Sequence, residues 1–150
     1  MMKNVLPLLI ERAQQLRDKH VAQARDTLAT LQTAQQVLQR LDEFRVEFLA
    51  RSPAASGASA DAQALQDYQR FVGRLDEAMA QQRQECMRRL QRNDAAQRQL
   101  LDSQRRVVAL QSWQRREAAA QVARDNRRSQ READEFAARA AGRYTGEALQ

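Results

Sequence analysis

One short stretch of the chain is composed of residues that disfavour a helix, and it divides the sequence unequally. The stretch is RSPAASGASAD, from Arg51 to Asp61. Ser52-Pro53 biases the backbone away from helix, Gly57 supplies flexibility, and Ser59 or Asp61 can cap a following helix. The rest is rich in Ala, Gln, Arg and Leu, with only four Gly and two Pro in the whole chain. The sequence therefore predicts an all-α protein in which one loop joins two helices.

The second arm carries a seven-residue repeat typical of a coiled-coil seam. Polar residues interrupt it at Gln82, Arg89, Asn93 and Ser103, and such residues lower stability while fixing register. Alternatively, Leu90, Leu101 and Val108 simply broaden the apolar stripe. The two sets of repeat positions are Leu65, Val72, Met79, Cys86, Asn93, Leu100, Val107 and Gln114, and Tyr68, Leu75, Gln82, Arg89, Ala96, Ser103, Leu110 and Glu117.

The first arm has a less regular stripe, and a second stripe opens beside it near the loop. Asn4 is a candidate cap, which would place Pro7 in the first turn, where its missing N–H costs no intrahelical bond. The main stripe comprises Leu9, Ala13, Leu16, Ala24, Leu28, Leu31 and Leu38, and the second comprises Val37, Leu41, Phe44 and Phe48. Two adjacent stripes allow one helix to contact two neighbours.

Two helices joined by a short loop pack antiparallel. We expect a single domain over residues 1–150: a helix over about 5–50, a loop over about 51–60, a helix over about 61–141 and a tail over 142–150. Pairing outward from the loop predicts the N-terminus near Arg106. The fold class is a long two-helix antiparallel coiled-coil hairpin whose second helix overhangs the first by roughly thirty-five residues. A three-helix arrangement broken near Asn93 is less favoured, since no Gly or Pro lies between Gly73 and Gly142.

Positive charge is concentrated in the second arm. Thirteen Arg face five acidic residues between Arg83 and Arg131, in a chain whose formal net charge is +6. This indicates either an ordinary solvated helix face or a surface for an acidic protein. Nucleic acid is not expected as a partner, because this arm has few aromatic residues and no recognisable binding module.

The sequence contains no arrangement of residues typical of catalysis. His20 is the only histidine and Cys86 the only cysteine, so neither a metal site nor a nucleophile-base pair is expected. We expect an interaction protein that is not an enzyme and binds no cofactor. The apolar run VLPLLI is too short for a membrane span or a typical export signal, which favours a cytoplasmic protein without direct membrane insertion.

Two segments resemble the FliJ family of the bacterial flagellar export apparatus. They are DYQRFVGRLDEAMAQQR, from Asp67 to Arg83, and LQSWQRREAAAQVARDNRRSQREADEFAARAAGR, from Leu110 to Arg143. A shorter echo is LDEFRVEF at Leu41 to Phe48, whereas the first forty residues match only in type. The resemblance implies a stalk-like coiled coil that promotes assembly of a hexameric flagellar export ATPase. It also implies a link from that ring to a transmembrane export gate protein, and handling of export chaperones.

The resemblance also suggests functional positions. The family residues implicated in the gate contact fall on Val37, Leu41, Phe44, Phe48, Phe71, Leu75, Ala78 and Gln82. Val37, Gln82 and the two Phe at 44 and 48 depart from the residues of well-known members. Most aromatic residues collect near the loop, where they either bind a partner or close the hairpin core. The residues expected to contact the ATPase ring are Trp113, Arg115, Arg116, Arg124, Arg127 and Arg128.

Such a protein would lie in the cytoplasm, at the cytoplasmic face of the inner membrane through the export apparatus. Two alternatives remain at this stage: a stalk protein of a virulence-type III secretion system, and a passive structural or adaptor coiled coil.

Overall fold

The computed structural model describes residues 2–52 and 62–148, with side chains from 5–52 and 62–147. Within these ranges the chain forms two helices, α1 (Met2–Ala50) and α2 (Ala62–Ala148). The helices pack against each other as an antiparallel hairpin, which confirms the predicted fold class. The predicted loop residues Pro53, Gly57, Ser59 and Asp61 lie outside the described residues. Helix α2 is uninterrupted, so the three-helix alternative is wrong.

The helix ends differ from the predicted ones. Helix α1 begins at Met2, so Asn4 is not its cap and Pro7 lies inside the helix, beyond the first turn. Helix α2 continues through the predicted tail to Ala148. Gly142 and Gly146 each cost about 1 kcal/mol of helix propensity relative to Ala, but they do not block the helix. The hydroxyl of Thr145 bonds to the carbonyls of Ala141 and Gly142 and so fits within the helix.

The chain divides into two compact units. The loop-side unit comprises Gln14–Gln104, and the terminal unit combines the residues up to Ala13 with those from Arg105 onward. That the whole chain acts as one domain remains a prediction.

The predicted seam of α2 is confirmed over most of its length. Every predicted seam position from Tyr68 to Leu110 is buried or half-buried, whereas Leu65, Gln114 and Glu117 are exposed. Leu90, Leu101 and Val108 are also exposed, so they flank the seam and do not widen the buried core.

The seam of α1 is more regular than its sequence indicated. It repeats every three and four residues, and its positions are Leu6, Ile10, Ala13, Arg17, His20, Ala24, Thr27, Leu31, Ala34, Leu38, Leu41, Arg45 and Phe48, all buried or half-buried. Leu9, Leu16 and Leu28, predicted on the main stripe, are exposed. Leu41 and Phe48 belong to the seam, while Val37 and Phe44 stand exposed at its edge.

The predicted helix register is wrong by more than one turn. Pairing begins at Phe48 and Tyr68, whose rings stack 5.0 Å apart, and the first six residues of α2, 62–67, are exposed. In the terminal unit, Val5 and Leu9 lie beside Trp113, well beyond Arg106. Residues 122–147 of α2 are all exposed, and we call them the overhang. The overhang is therefore shorter than predicted.

Candidate functional site: an aromatic face and an unpaired helix

The polar residues of the α2 seam bond across to α1 within the loop-side unit. The amide of Gln82 donates to the carbonyl of Ala34 at 2.9 Å, and the guanidinium of Arg89 donates to the carbonyl of Thr30 at 2.8 Å. The Thr27 hydroxyl lies 3.2 Å from Asn93 Oδ1. These bonds satisfy polar groups that would otherwise weaken the seam, and the contact between Thr27 and Asn93 depends on the register because it joins two side chains.

His20 and Ser103 form a fourth polar pair across the seam. The Ser103 hydroxyl donates to the carbonyl of Gln99 at 2.9 Å, and its oxygen is also bonded to His20 Nδ1. Because the hydroxyl has only one proton, His20 Nδ1 is the donor of the second bond. His20 therefore has a structural partner. Among the described residues no group of three His, Cys, Asp or Glu side chains could hold a metal ion.

The aromatic residues nearest the loop form one cluster that joins both helices. Phe48 lies at its centre, with ring centroids 4.4 Å from Phe71, 5.0 Å from Tyr68 and 6.1 Å from Phe44. Phe44 also contacts Phe71 edge to face at 6.1 Å. Phe48 and Tyr68 are half-buried in the seam, whereas Phe44 is 47% exposed and Phe71 40% exposed. Phe48 and Tyr68 thus close the hairpin core, whereas Phe44 and Phe71 leave apolar surface exposed beside it.

The predicted gate residues occupy two positions of the repeat on each helix. Leu41, Phe48, Leu75 and Gln82 lie in the seam, and Leu75 is buried. Val37 and Phe44 are seven residues apart on α1, as Phe71 and Ala78 are on α2, and all four are exposed. Residues seven apart share a helix face, and the Phe44 and Phe71 rings touch across the seam. We call these four residues the aromatic face.

Two neighbours of this face were not assigned to it from sequence. Tyr68 stacks on Phe48, and its hydroxyl donates to the Phe48 carbonyl at 3.5 Å. Arg45 on α1 forms a 2.7 Å ion pair with Asp76 on α2. Tyr68 had a signal, since it occupies a predicted seam position. Asp76 has no such signal, because its pairing with Arg45 depends on the helix register.

The predicted ring-contact residues do not lie together on the overhang. Trp113 is 42% exposed and lines a groove with the start of α1. Arg115 and Arg116 precede the overhang and are exposed. Only Arg124, Arg127 and Arg128 lie on it; Arg124 is 4.0 Å from Glu117, and Arg128 is 3.6 Å from Glu132.

Most of the positive charge of α2 also lies outside the overhang. Of the thirteen Arg between Arg83 and Arg131, only four lie on the overhang. From Val122 to Ala148 there are six Arg and five acidic residues, so the overhang is nearly neutral. The basic surface belongs mainly to the paired part of α2. The large exposed apolar residues of the overhang are Val122, Phe136 and Tyr144.

Neither described helix contains a stretch that is both long and apolar enough to cross a membrane.

Comparisons with known proteins agree with the fold and the quoted segments. The model of the family described as "Flagellar FliJ protein" matches residues 2–146. A flagellar FliJ protein of Salmonella typhi is 29% identical over 138 residues, which cover 89% of this chain and 94% of the relative. One of Escherichia coli (strain K12) is 30% identical over 112 residues, covering 75% of this chain and 76% of the relative. The chain therefore belongs to the FliJ family of flagellar proteins.

Proposed function

We propose that the protein is a non-enzymatic component of the flagellar type III export apparatus. In this role it links the export ATPase ring to the transmembrane export gate protein and assists export chaperones. Family membership supports a flagellar role over a virulence-type system. The finer roles rest on two features of the molecule: the aromatic face and the overhang.

The aromatic face supports the gate contact. Phe44 and Phe71 are held against each other across two helices while keeping 47% and 40% of their surface exposed. Paired, partly exposed aromatic rings with little conformational freedom are typical of protein-binding sites. Val37 and Ala78 extend the apolar surface by two turns, so a partner segment gains a continuous strip.

The overhang supports the contact with the ATPase ring, and it is the observation that carries the proposal. Residues 122–147 continue α2 but bury no side chain against the rest of the described chain. A helix of this length is marginal in water, so a binding partner would stabilise it. Phe136 and Tyr144, 77% and 78% exposed, supply apolar contacts, and Arg124, Arg127 and Arg128 supply charged ones.

Purified export ATPase and the cytoplasmic domain of the gate protein would test both contacts. The intact chain should stimulate the ATPase, and a chain truncated after Asn126 should not, while both bind the gate. Phe44→Ala with Phe71→Ala should show the reverse pattern. A passive adaptor would stimulate nothing in either form, and loss of both activities in one variant would mean that the two sites are not separate.

A further inference from the structure

The terminal unit contains an apolar groove that the repeat pattern did not predict. It has a volume of about 350 Å³ and lies where the first turns of α1 meet α2. Two sets of residues line it: from α1 Val5, Leu6, Pro7 and Leu9, and from α2 Trp113, Gln114, Glu117, Ala118 and Gln121. Leu9 and Trp113 remain 40% and 42% exposed although they line the same groove. Exposed apolar residues that converge in a concave site mark a binding surface.

The surroundings of the groove are basic. Arg116 follows Trp113 by three residues and Arg106 precedes it by seven, so both lie on the Trp113 face of α2. Neither forms an ion pair with a described residue, and both are exposed. The acidic residue in the groove wall, Glu117, is already 4.0 Å from Arg124. Glu117 is thus the one charged residue among the described residues that line the groove, and unpaired positive charge flanks the groove at Arg106 and Arg116.

The arginines beside the groove and the course of α2 determine which segment can bind in the groove. The residues after Gln121 continue α2 without interruption to Ala148, so they do not fold back into the groove. A second copy docked groove to groove would bring its own arginines against Arg106 and Arg116, at a cost from like-charge repulsion, and its nearly neutral overhang offers them no net negative charge. A partner with carboxylates beside an apolar anchor would neutralise these arginines and bury Leu9 and Trp113.

We infer that this groove binds an acidic amphipathic segment of another protein, with a bulky apolar side chain against Trp113 and carboxylates on Arg106 and Arg116. The inference rests on the proposed function and deepens it, since the resemblance to the FliJ family places Trp113 and Arg116 among the residues expected to contact the ATPase ring. It assigns them to a socket for a partner segment, separate from the overhang.

Trp113 is the only tryptophan of the chain, so its fluorescence reports on the groove directly. The probe is a tryptophan-free helical peptide with Leu on one face and Glu along both flanks, and its twin carries Lys in place of every Glu. We expect the acidic peptide to shift Trp113 emission to shorter wavelength and to bind more weakly as salt rises. The Lys twin should cause no shift.

Matched variants separate charge from apolar contact. Arg106→Glu with Arg116→Glu should weaken peptide binding at least tenfold, whereas Arg74→Glu with Arg98→Glu, of equal charge change in the loop-side unit, should not. Leu9→Ala should weaken it, and Leu16→Ala, at a position 41% exposed outside the groove, should not. Circular dichroism confirms that each variant folds.

Several results would overturn the inference. These are equal binding of the Lys twin, equal effects of the two double reversals, or no response of Trp113 at millimolar acidic peptide. The inference would also be wrong if Trp113 emission shifted to shorter wavelength as the protein concentration rises without any peptide, because a second copy would then occupy the groove. The chain truncated after Asn126 keeps the groove and Arg124, so it should bind the peptide even if it fails to stimulate the ATPase. Failure of the groove and failure of the ring contact are therefore distinguishable.

Discussion

The side-chain amide of Gln82 donates a 2.9 Å hydrogen bond to the backbone carbonyl of Ala34 on the opposite helix. Asn93 lies eleven residues further along α2, and its Oδ1 is 3.2 Å from the hydroxyl of Thr27, seven residues back along α1 from Ala34. The α1 partners thus move backwards as α2 advances, as antiparallel pairing requires. The Gln82 bond uses a backbone carbonyl, which other registers also supply, whereas the Thr27–Asn93 contact requires these two side chains to face each other. Paired polar side chains of this kind favour one register at a cost in apolar burial.

We predict that replacing Gln82 and Asn93 with Leu will raise the melting temperature but reduce structural uniqueness. The added apolar seam area stabilises helix pairing in any register, whereas the lost hydrogen bonds no longer favour the native one. Analytical ultracentrifugation should show oligomers that increase with concentration, and calorimetry should show the higher melting temperature. Leu at the exposed positions 84 and 91, which lie outside the seam, serves as a control. A strictly monomeric double variant would show that register is fixed elsewhere.

The α2 seam was predictable because its mostly apolar positions recur at the correct spacing over six heptads, from Tyr68 to Leu110. The α1 seam was not, because the larger residues Leu9 and Leu16 lie at its edge while Ala13, His20 and Ala24 occupy the seam. A pattern search follows side-chain size and hydrophobicity, and it misses seam positions filled by small or hydrogen-bonded residues.

The register also could not be read from the sequence, and the candidate sites depend on it. Pairing that starts at Tyr68 instead of at the first residue of α2 brings Trp113 beside Val5 and Leu9. The aromatic face was predictable in part, since Phe44 and Phe71 were named for it. Its exposure, and the separate seam role of Phe48, depend on distances that only the structure provides.

A second prediction concerns the division of labour within the aromatic cluster. Phe48→Ala removes contacts with three rings in the seam and should lower the free energy of unfolding by about 2 kcal/mol. Phe44→Ala removes a ring that is nearly half exposed and should cost less than about 1 kcal/mol. Urea unfolding followed by circular dichroism measures both. Equal losses would mean that Phe44 is a core residue, which would remove it from the proposed binding surface.

A third prediction concerns the His20 and Ser103 pair. Ser103→Ala leaves the half-buried His20 Nδ1 without its partner and should cost about 1 kcal/mol. Ser112→Ala is the matched control, because Ser112 is half-buried on the same helix and forms no side-chain hydrogen bond with a described residue. Chemical denaturation of both variants at pH 8 makes the comparison. If Ser112→Ala costs as much as Ser103→Ala, the loss reflects the local helix and not the pair.

A fourth prediction concerns how the contribution of Glu85 to stability depends on pH. Hydrogen bonding to Arg89 lowers the pKa of the Glu85 carboxyl below its ordinary value, and the charge of Arg88 acts in the same direction. A carboxyl with a depressed pKa in the folded state contributes stability above its unfolded pKa, and this contribution disappears as the pH falls through the folded one. Glu85→Gln should therefore lower stability at pH 7 and have little effect near pH 2. Thermal melts across this range measure the difference, and an equal effect at both pH values would exclude a charge contribution.

The last prediction separates the overhang from the paired helices by truncation. A chain ending at Asn126 loses only exposed side chains, so its melting temperature should change by no more than a few degrees. A chain ending at Arg106 loses Val107, which is only 3% exposed, and also Leu110 and Trp113. Without these residues of α2 the start of α1 has no surface to pack on, so Leu6 and Ile10, both buried in the intact chain, become exposed. Burying an aliphatic side chain of this size contributes roughly 2 kcal/mol, so the shorter chain should melt at a much lower temperature and lose α1 helicity as well.

Circular dichroism at matched concentration compares the two truncated forms. The longer form should lose only the signal of the deleted residues, and the shorter form should lose more than that. If both forms melt together with the intact chain, the first turns of α1 gain nothing from α2, and the groove beside Trp113 is not a stable feature of the protein.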